Sequence, residues 1–317
     1  MSGNNKSQIR DKMYEDMNEL IQEAAEKPAA RMTVAAAGDK VVLEAVLRAA
    51  EKGIIEPVLI GDEEKIAAFL RELGAEPGSF EIIGVDSKKK AADNAVERVA
   101  RGEADFPMKG LLGTSLILRS FLDSRYGFKT DRLLSLVTLM ELNKFGRKMV
   151  FLSDAGMNIS PSLAEKADII RNSVELARRA GLENPRVAPL AAVEKVNDNM
   201  PVTEEAAILS KMSDRGQLAD CTVDGPLALD NAISKEAAEH KGIESPVAGR
   251  ADILLVPNIE VGNVLYKALI YYGEVRAASV VMGAEVPAVV SSRADSAETK
   301  FNSIALAKLV AQTEVKN

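Results

Sequence analysis

The chain has 317 residues, 47% of them hydrophobic, a length that favours two domains of about 150 residues over one. Its formal net charge of −7 gives no general attraction to nucleic acid or an anionic membrane, and its single cysteine (Cys221) and single histidine (His240) exclude an internal disulfide and a Cys/His metal cluster. No apolar run approaches the length of a membrane-spanning helix, and the polar amino-terminal segment does not resemble a signal peptide, so we expect a cytoplasmic protein.

The first third of the chain alternates between helical and strand periodicity. The pattern predicts helices over 8–26, 39–52, 62–73 and 88–101, separated by apolar strands over 32–37, 56–61 and 80–85. Strands that are apolar without interruption and alternate with helices are typical of parallel sheets covered on both faces. We therefore predict an α/β fold.

The rest of the chain continues in the same style. Strands are predicted over 136–141, 148–156, 186–192, 221–229, 251–258, 277–284 and 288–292, and helices over 161–180, 203–215, 231–240, 261–273 and from 296 onward. Turn residues and charges place a domain boundary near residue 130.

The segment MKGLLGTSLILR (108–119) places two glycines between a short strand and a helix that starts near Thr114. Backbone N–H groups at such a helix start bind anions, and Lys109 and Arg119 can add positive charge. The spacing matches neither the P-loop nor the G-x-G-x-x-G motif, so an ordinary turn between strand and helix stays open as the alternative.

Two later segments put polar side chains where apolar strands end. Asp224, in DGPLALDNA, can point into the crevice where open α/β sheets bind ligands, or it can be an ordinary turn aspartate. Asp230 is predicted to cap the next helix. Asn263, Tyr266 and Lys267 share one face of a later helix, which suits the wall of a polar cleft.

Taken in order, these segments resemble the phosphate acetyl/butyryl transferase family. The resemblance is specific over residues 221–308, which include DGPLALDNA, VPNIEVGNVLYKAL and VPAVVSSRADS, and looser elsewhere, where LSDAGMNISPSLAEKADI and GTSLILR fit the family pattern. The D-G-P-L-x-x-D-N-A form is more similar to the phosphate butyryltransferase branch than to the acetyl branch. The resemblance therefore implies that butyryl-CoA is a better substrate than acetyl-CoA.

The resemblance implies transfer of a short-chain acyl group between coenzyme A and inorganic phosphate, by direct displacement in a ternary complex, with no permanently bound metal or redox cofactor. The implied partners are acyl-CoA, CoA, phosphate, acyl phosphate and a second copy of the chain in a homodimer. The family fold has two α/β/α domains with mainly parallel sheets that flank a cleft, similar to isocitrate and isopropylmalate dehydrogenases. One domain would contain residues 1–130 and 286–317, and the other residues 131–285.

The family has a serine–arginine pair at its reaction centre, which corresponds to Ser292 and Arg293. From the residues alone, Arg293 equally fits a cap on a surface turn; the resemblance implies that it binds phosphate, for which a planar guanidinium provides two parallel hydrogen bonds. Ser292 is implied to donate to the carbonyl oxygen that gains charge, a contribution of about 3 kcal/mol when well aligned. The candidate residues for binding substrate or CoA are Lys109, Thr114, Arg119, Asp224, Asn263, Lys267 and Asp295.

The base that would deprotonate the CoA thiol is not set by the motif. A thiol with a pKa of about 8.5 is mostly protonated at neutral pH, so a base or a cationic neighbour would help. The acetyl branch has an aspartate seven residues after the motif serine, where this chain has Thr299 beside Glu298. We take Glu298 as the candidate base, with Asp295 or water as alternatives. A basic insertion of the acetyl branch is also absent, so only Arg119 matches a CoA-binding arginine.

Two other classes of protein fit parts of the pattern. A metal-dependent decarboxylating dehydrogenase would need clustered aspartates and a nucleotide loop, whereas SSRADS offers a single carboxylate. A non-catalytic CoA-binding protein would keep Arg119 and the cleft but not the serine–arginine pair. The presence of both Ser292 and Arg293 favours the enzyme.

Overall fold

The computed structural model describes residues 13–143 and 148–312. Its strands are β1 Ala30–Ala35, β2 Ile55–Gly61, β3 Glu81–Gly84, β4 Phe106–Lys109, β5 Ser135–Leu142, β6 Lys148–Ser153, β7 Arg186–Pro189, β8 Thr222–Val223, β9 Ile253–Leu255 and β10 Arg276–Met282. Its helices are α1 Met17–Glu26, α2 Lys40–Glu51, α3 Glu63–Glu72, α4 Lys88–Ala100, α5 Thr114–Phe121, α6 Leu163–Arg179, α7 Pro201–Asp214, α8 Leu229–Ile233, α9 Lys235–His240, α10 Ile259–Tyr272 and α11 Ala297–Gln312, with a 3₁₀ turn at Pro77–Ser79. The predicted α/β class is confirmed.

The first sheet has the strand order β3-β2-β1-β4 and is parallel throughout. Helices α2, α3 and α4 lie between its strands along the chain, and each begins after a residue whose side chain accepts a backbone N–H: Asp39, Asp62 and Ser87. Every residue of β1 except Arg31 is buried. This half of the molecule is the parallel sheet that the alternating periodicity predicts.

The second sheet has the strand order β10-β5-β6-β9-β7-β8 and is mixed. Strands β6, β9, β7 and β8 are parallel to one another, whereas β5 is antiparallel to both of its neighbours. The sheets are mainly parallel, as expected, and β5 is the exception. The short connection between β5 and β6 explains this, because a parallel crossover needs about a dozen residues or more.

Residues 288–289 lie against the edge strands of both sheets. Ala288 forms an antiparallel bridge with Val281 of β10, and Val289 forms a parallel bridge with Met108 of β4. The predicted strand over 288–292 is therefore a pair of single bridges. The residues that follow it lie where the two sheets meet. The domain boundaries near residues 130 and 286 stay a prediction, which this return of the chain to β4 supports.

Several predicted boundaries shift for local reasons. The helix predicted over 8–26 begins at Met17, because Asp16 accepts the N–H groups of Asn18 and Glu19; residues 8–12 lie outside the described residues. The helix predicted over 231–240 is two helices, α8 and α9, with Ser234 capping the second. Asp230 lies inside α8 and is not its cap.

Helix α11 is buried along most of its length. It packs against α1, α2 and β10, with Phe301, Ile304 and Leu306 in the core. The guanidinium of Arg48 lies 4.1 Å from the centre of the Phe301 ring. Within the described ranges, no helix combines the length and the apolar character needed to cross a bilayer.

Candidate active site

Residues Ser292–Asp295 form a tight turn between the Val289 bridge and helix α11, which we call the 292–295 turn. The Ser292 N–H donates to Asp295 Oδ2 at 2.7 Å, and the Ala294 N–H donates to Ser292 Oγ at 3.3 Å. The side chains of Ser292 and Arg293 are exposed. Among the residues that the structure describes, Arg293 has no hydrogen-bond or ion-pair partner, so its guanidinium is available to a ligand.

Lys300 lies beneath this turn, in the first turn of α11. Its Nζ donates to the carbonyl oxygens of Ser292 and Asp295, each at 2.8 Å, and the residue is 3% exposed. Burial lowers the pKa of Lys300 from its ordinary value, although Asp295 and Asp39 act in the opposite direction. No motif in the sequence singles out Lys300. The available signal was a lysine at a predicted helix start, where a cation opposes the helix dipole.

Lys109, at the end of β4, is the second buried cation of this region. It is 4% exposed, and its Nζ lies 3.5 Å from the carbonyl oxygens of Gly110 and Leu112. Burial lowers the pKa of Lys109, and the positive charges of Lys300 and Arg293 lower it further. The predicted site residues Lys109 and Arg293 are therefore close enough to interact electrostatically.

The loop after β4 crosses directly over the end of β1. A Cβ on Gly110 would lie 2.3 Å from the Ala36 carbonyl oxygen, so only glycine fits this crossing.

Helix α5 then begins at Thr114, as predicted, with Gly113 before it and both residues exposed. Arg119 is exposed in the last turn of α5. It is therefore not the helix-start cation that the motif suggested.

Helix α10 forms one side of the site. Tyr266 Oη donates to Asp295 Oδ1 at 3.3 Å, and burial, together with the charge of Asp295, raises the pKa of Tyr266 above its ordinary value. Asn263 Nδ2 donates to the Ala155 carbonyl oxygen at 3.5 Å, and Lys267 is exposed. The predicted polar face of α10 thus contacts the 292–295 turn through Tyr266.

A second turn, at residues 154–158, packs against the same face of α10, about one helical turn before Tyr266. The buried Asp154 carboxylate accepts the N–H groups of Gly156 at 2.9 Å and Met157 at 3.0 Å. Burial raises the pKa of Asp154, and these hydrogen bonds offset part of the increase. A Cβ on Gly262 would lie 2.9 Å from the Asp154 carbonyl oxygen, so a glycine lets α10 pack against this turn.

Two candidate residues lie apart from this group. Glu298 Oε1 pairs with Arg276 Nε at 3.1 Å, and because residues two apart on a helix point roughly 200° from each other, Glu298 faces away from Lys300. Asp224 follows β8, which is the edge strand farthest from β10. Within the described ranges, no hydrogen bond or ion pair joins either residue to the 292–295 turn, and no group of three or more His, Cys, Asp or Glu side chains could hold a metal ion.

Comparison with known proteins gives one consistent result. The model of the family "Phosphate acetyl/butaryl transferase" matches residues 16–95 and 88–308. The phosphate butyryltransferase of Clostridium acetobutylicum is 49% identical over 94% of this chain and 99% of its own length, and the phosphate acetyltransferase of Thermotoga maritima is 48% identical over 92% and 99%.

A crystal structure of a branched-chain phosphotransacylase from Enterococcus faecalis has a TM-score of 0.79 and 32% identity, and the match covers 90% of this chain and all of that one. The family model spans both sheets, the 292–295 turn and the first turns of α11. The chain therefore belongs to the phosphate acetyl/butyryl transferase family.

Proposed function

We propose that this protein transfers a short-chain acyl group between coenzyme A and inorganic phosphate: acyl-CoA + phosphate = acyl phosphate + CoA. Membership of the family supports the reaction class. The observation that carries the proposal is the exposed Arg293 guanidinium, which has no partner among the described residues and lies near the buried Lys109. Such a group suits a phosphate dianion.

The proposed mechanism is direct displacement. Arg293 binds phosphate, one of whose oxygens attacks the thioester carbonyl carbon; the new C–O bond forms, the C–S bond breaks, and CoA leaves as a thiolate. Ser292 Oγ donates to the carbonyl oxygen while it carries negative charge. In the reverse direction the CoA thiol must lose a proton. The Glu298 carboxylate pairs with Arg276, so we propose that Asp295, whose carboxylate lies beside Ser292, is the base that accepts this proton.

We further propose that residues at both ends of α5 and on the polar face of α10 bind coenzyme A. Thr114 and Arg119 belong to α5, and Asn263 and Lys267 belong to α10. Backbone N–H groups at the start of a helix favour anions such as the coenzyme phosphates. Asp224 remains a candidate only on the strength of its motif, since its position at β8 adds no support.

The acyl preference is proposed to be butyryl over acetyl, on the basis of the D-G-P-L-x-x-D-N-A motif. Relatives with both names are almost equally similar, at 49% and 48% identity, so overall similarity does not decide between them. Two additional methylenes, at about 0.8 kcal/mol each when fully buried, would supply a preference of order tenfold.

The finer architecture and the assembly belong to the same proposal. We propose two α/β domains flanking a cleft, as in isocitrate dehydrogenase, made of residues 1–130 with 286–317 and of residues 131–285, in a cytoplasmic homodimer. Helix α10 supports a dimer, because its outer face exposes Val264 at 68%, Tyr271 at 69% and Tyr272 at 93%.

The decisive experiment is an initial-rate comparison of acetyl-, propionyl-, butyryl- and isobutyryl-CoA with phosphate, following release of the CoA thiol. We expect thiol release that depends on phosphate and is fastest with butyryl-CoA at matched subsaturating concentrations. No phosphate-dependent release with any of the four would overturn the function. Faster reaction with acetyl-CoA would overturn only the butyryl preference.

A further inference from the structure

Lys300 lies where a purely structural lysine would be costly. The helix dipole disfavours a cation in the first turn of α11, and the residue is 3% exposed. Its partners are two backbone carbonyls, and among the described residues it forms no ion pair. Hydrogen bonds to neutral groups offset the desolvation of a buried ammonium only in part, and at the amino-terminal end of the helix the dipole adds to that cost, so this position needs a further explanation.

Lys109 reaches the same region from the first sheet. The parallel bridge between Met108 and Val289 brings the end of β4 beside the segment that leads into the 292–295 turn. The pKa of Lys109 is lowered by burial and by the charges of Lys300 and Arg293, and is raised by Asp295 and Asp39. An incoming phosphate beside Lys109, Lys300 and Arg293 would favour the charged form of both lysines.

We infer that Lys300 is a positioning residue for acyl transfer. By donating to the backbone at the first and last residues of the 292–295 turn, it holds the Ser292 and Arg293 side chains in place. Together with Lys109, its positive charge favours binding of the phosphate dianion at this turn. This inference rests on the proposed function and deepens it. Lys300 acts through the Ser292 and Asp295 carbonyl oxygens to which its Nζ donates. Because phosphate is the substrate placed at this turn, the effect on phosphate should exceed the effect on the CoA thioester.

The chain offers a matched control on the same helix. Lys308 is also fully buried in α11, and its Nζ also donates to two backbone carbonyl oxygens, those of Ala24 and Lys27. These carbonyls belong to the end of α1, not to the 292–295 turn. A purely structural role for both lysines predicts that the two methionine variants lose stability and keep their kinetic constants.

The test compares Lys300→Met, Lys300→Arg and Lys308→Met in the full chain, with butyryl-CoA and inorganic phosphate as substrates. We expect Lys300→Met to lower kcat at least about tenfold and raise the KM for phosphate several-fold, with the KM for butyryl-CoA changed less than about twofold. Lys300→Arg keeps the charge on a planar fork, so the KM for phosphate stays within about threefold while kcat falls. Lys308→Met lowers the melting temperature and leaves kcat and both KM values unchanged.

Wild-type kcat and phosphate KM in Lys300→Met would overturn the inference, whatever its melting temperature. If Lys300→Met does not fold, Lys300→Arg decides: a lowered kcat with the phosphate KM retained supports the inference, and a wild-type kcat overturns it. The parent protein separates the two claims. A parent without phosphate-dependent thiol release overturns the proposed function, whereas an active parent with kinetically silent Lys300 variants overturns the inference alone.

Discussion

The two ends of α11 use the same side chain in different surroundings. At the far end, Lys308 donates to the carbonyls of Ala24 and Lys27, which the end of helix α1 leaves without intrahelical partners. At the near end, Lys300 donates to carbonyls of the 292–295 turn, whose serine and arginine side chains are exposed. A buried lysine can thus donate to the end of a regular helix or to an exposed turn, and only its partners distinguish the two positions.

The largest expected effect tests whether the near end of α11 is the reactive end. Ser292→Ala should lower kcat about 100-fold and change both KM values little, because the serine hydroxyl bonds most strongly to the charge that develops in the transition state. Steady-state kinetics with butyryl-CoA and phosphate measure this. An effect limited to KM would reduce Ser292 to ground-state binding and weaken the contrast between the two ends.

A smaller expected effect, on turnover, tests whether Arg293 of the 292–295 turn binds phosphate through two parallel hydrogen bonds. Arg293→Lys keeps the charge and loses the bidentate fork, so turnover should fall at least about tenfold, equivalent to about 1.4 kcal/mol of transition-state binding. Because Arg293 is exposed, we expect the variant to fold, and a melting curve of the variant serves as the control. Kinetics equal to the parent would remove Arg293 from the reaction centre.

The far end of α11 predicts a pH effect on stability. Burial lowers the pKa of Lys308 from 10.5 to about 8. Between these values the unfolded chain binds more protons at this position than the folded chain, so the contribution of Lys308 to stability increases as pH rises from about 8 to about 10.5. Lys308→Met should remove this contribution.

Denaturant unfolding of the parent and of Lys308→Met at several pH values across this window measures the effect. The difference in unfolding free energy between the two proteins should grow in favour of the parent with rising pH, since the other lysines titrate equally in both. A difference that does not change with pH would contradict the shifted pKa of Lys308.

The smallest expected effect concerns Glu298, which lies in the first turn of α11 on the face opposite Lys300. Glu298→Gln should change kcat less than about twofold, because the carboxylate is partly exposed and paired with Arg276. The same assay as for Ser292→Ala applies. A tenfold fall in kcat would instead restore Glu298 as the base and show that the pairing with Arg276 gives way during the reaction.

Much of the architecture was readable from local pattern. Alternating periodicity predicted the α/β class and most elements, because burial imposes a period on each segment whatever its partners. The expectation of mainly parallel sheets left the direction of β5 open, and the short chain between β5 and β6 favours antiparallel pairing there. The serine–arginine pair can be proposed from sequence because its motif is local, whereas the position of Arg119 in the last turn of α5 depends on where that helix ends.

Local pattern along the chain establishes the alternation of helices and strands and the motif that contains Ser292 and Arg293. Tertiary structure alone decided that Lys109 and Lys300 approach the same turn while Glu298 points away from it. Lysine is usually a surface residue, and whether a particular lysine is buried depends on which distant segments of the chain pack around it. Periodicity records which face of a helix is buried, but only packing records what lies opposite that face.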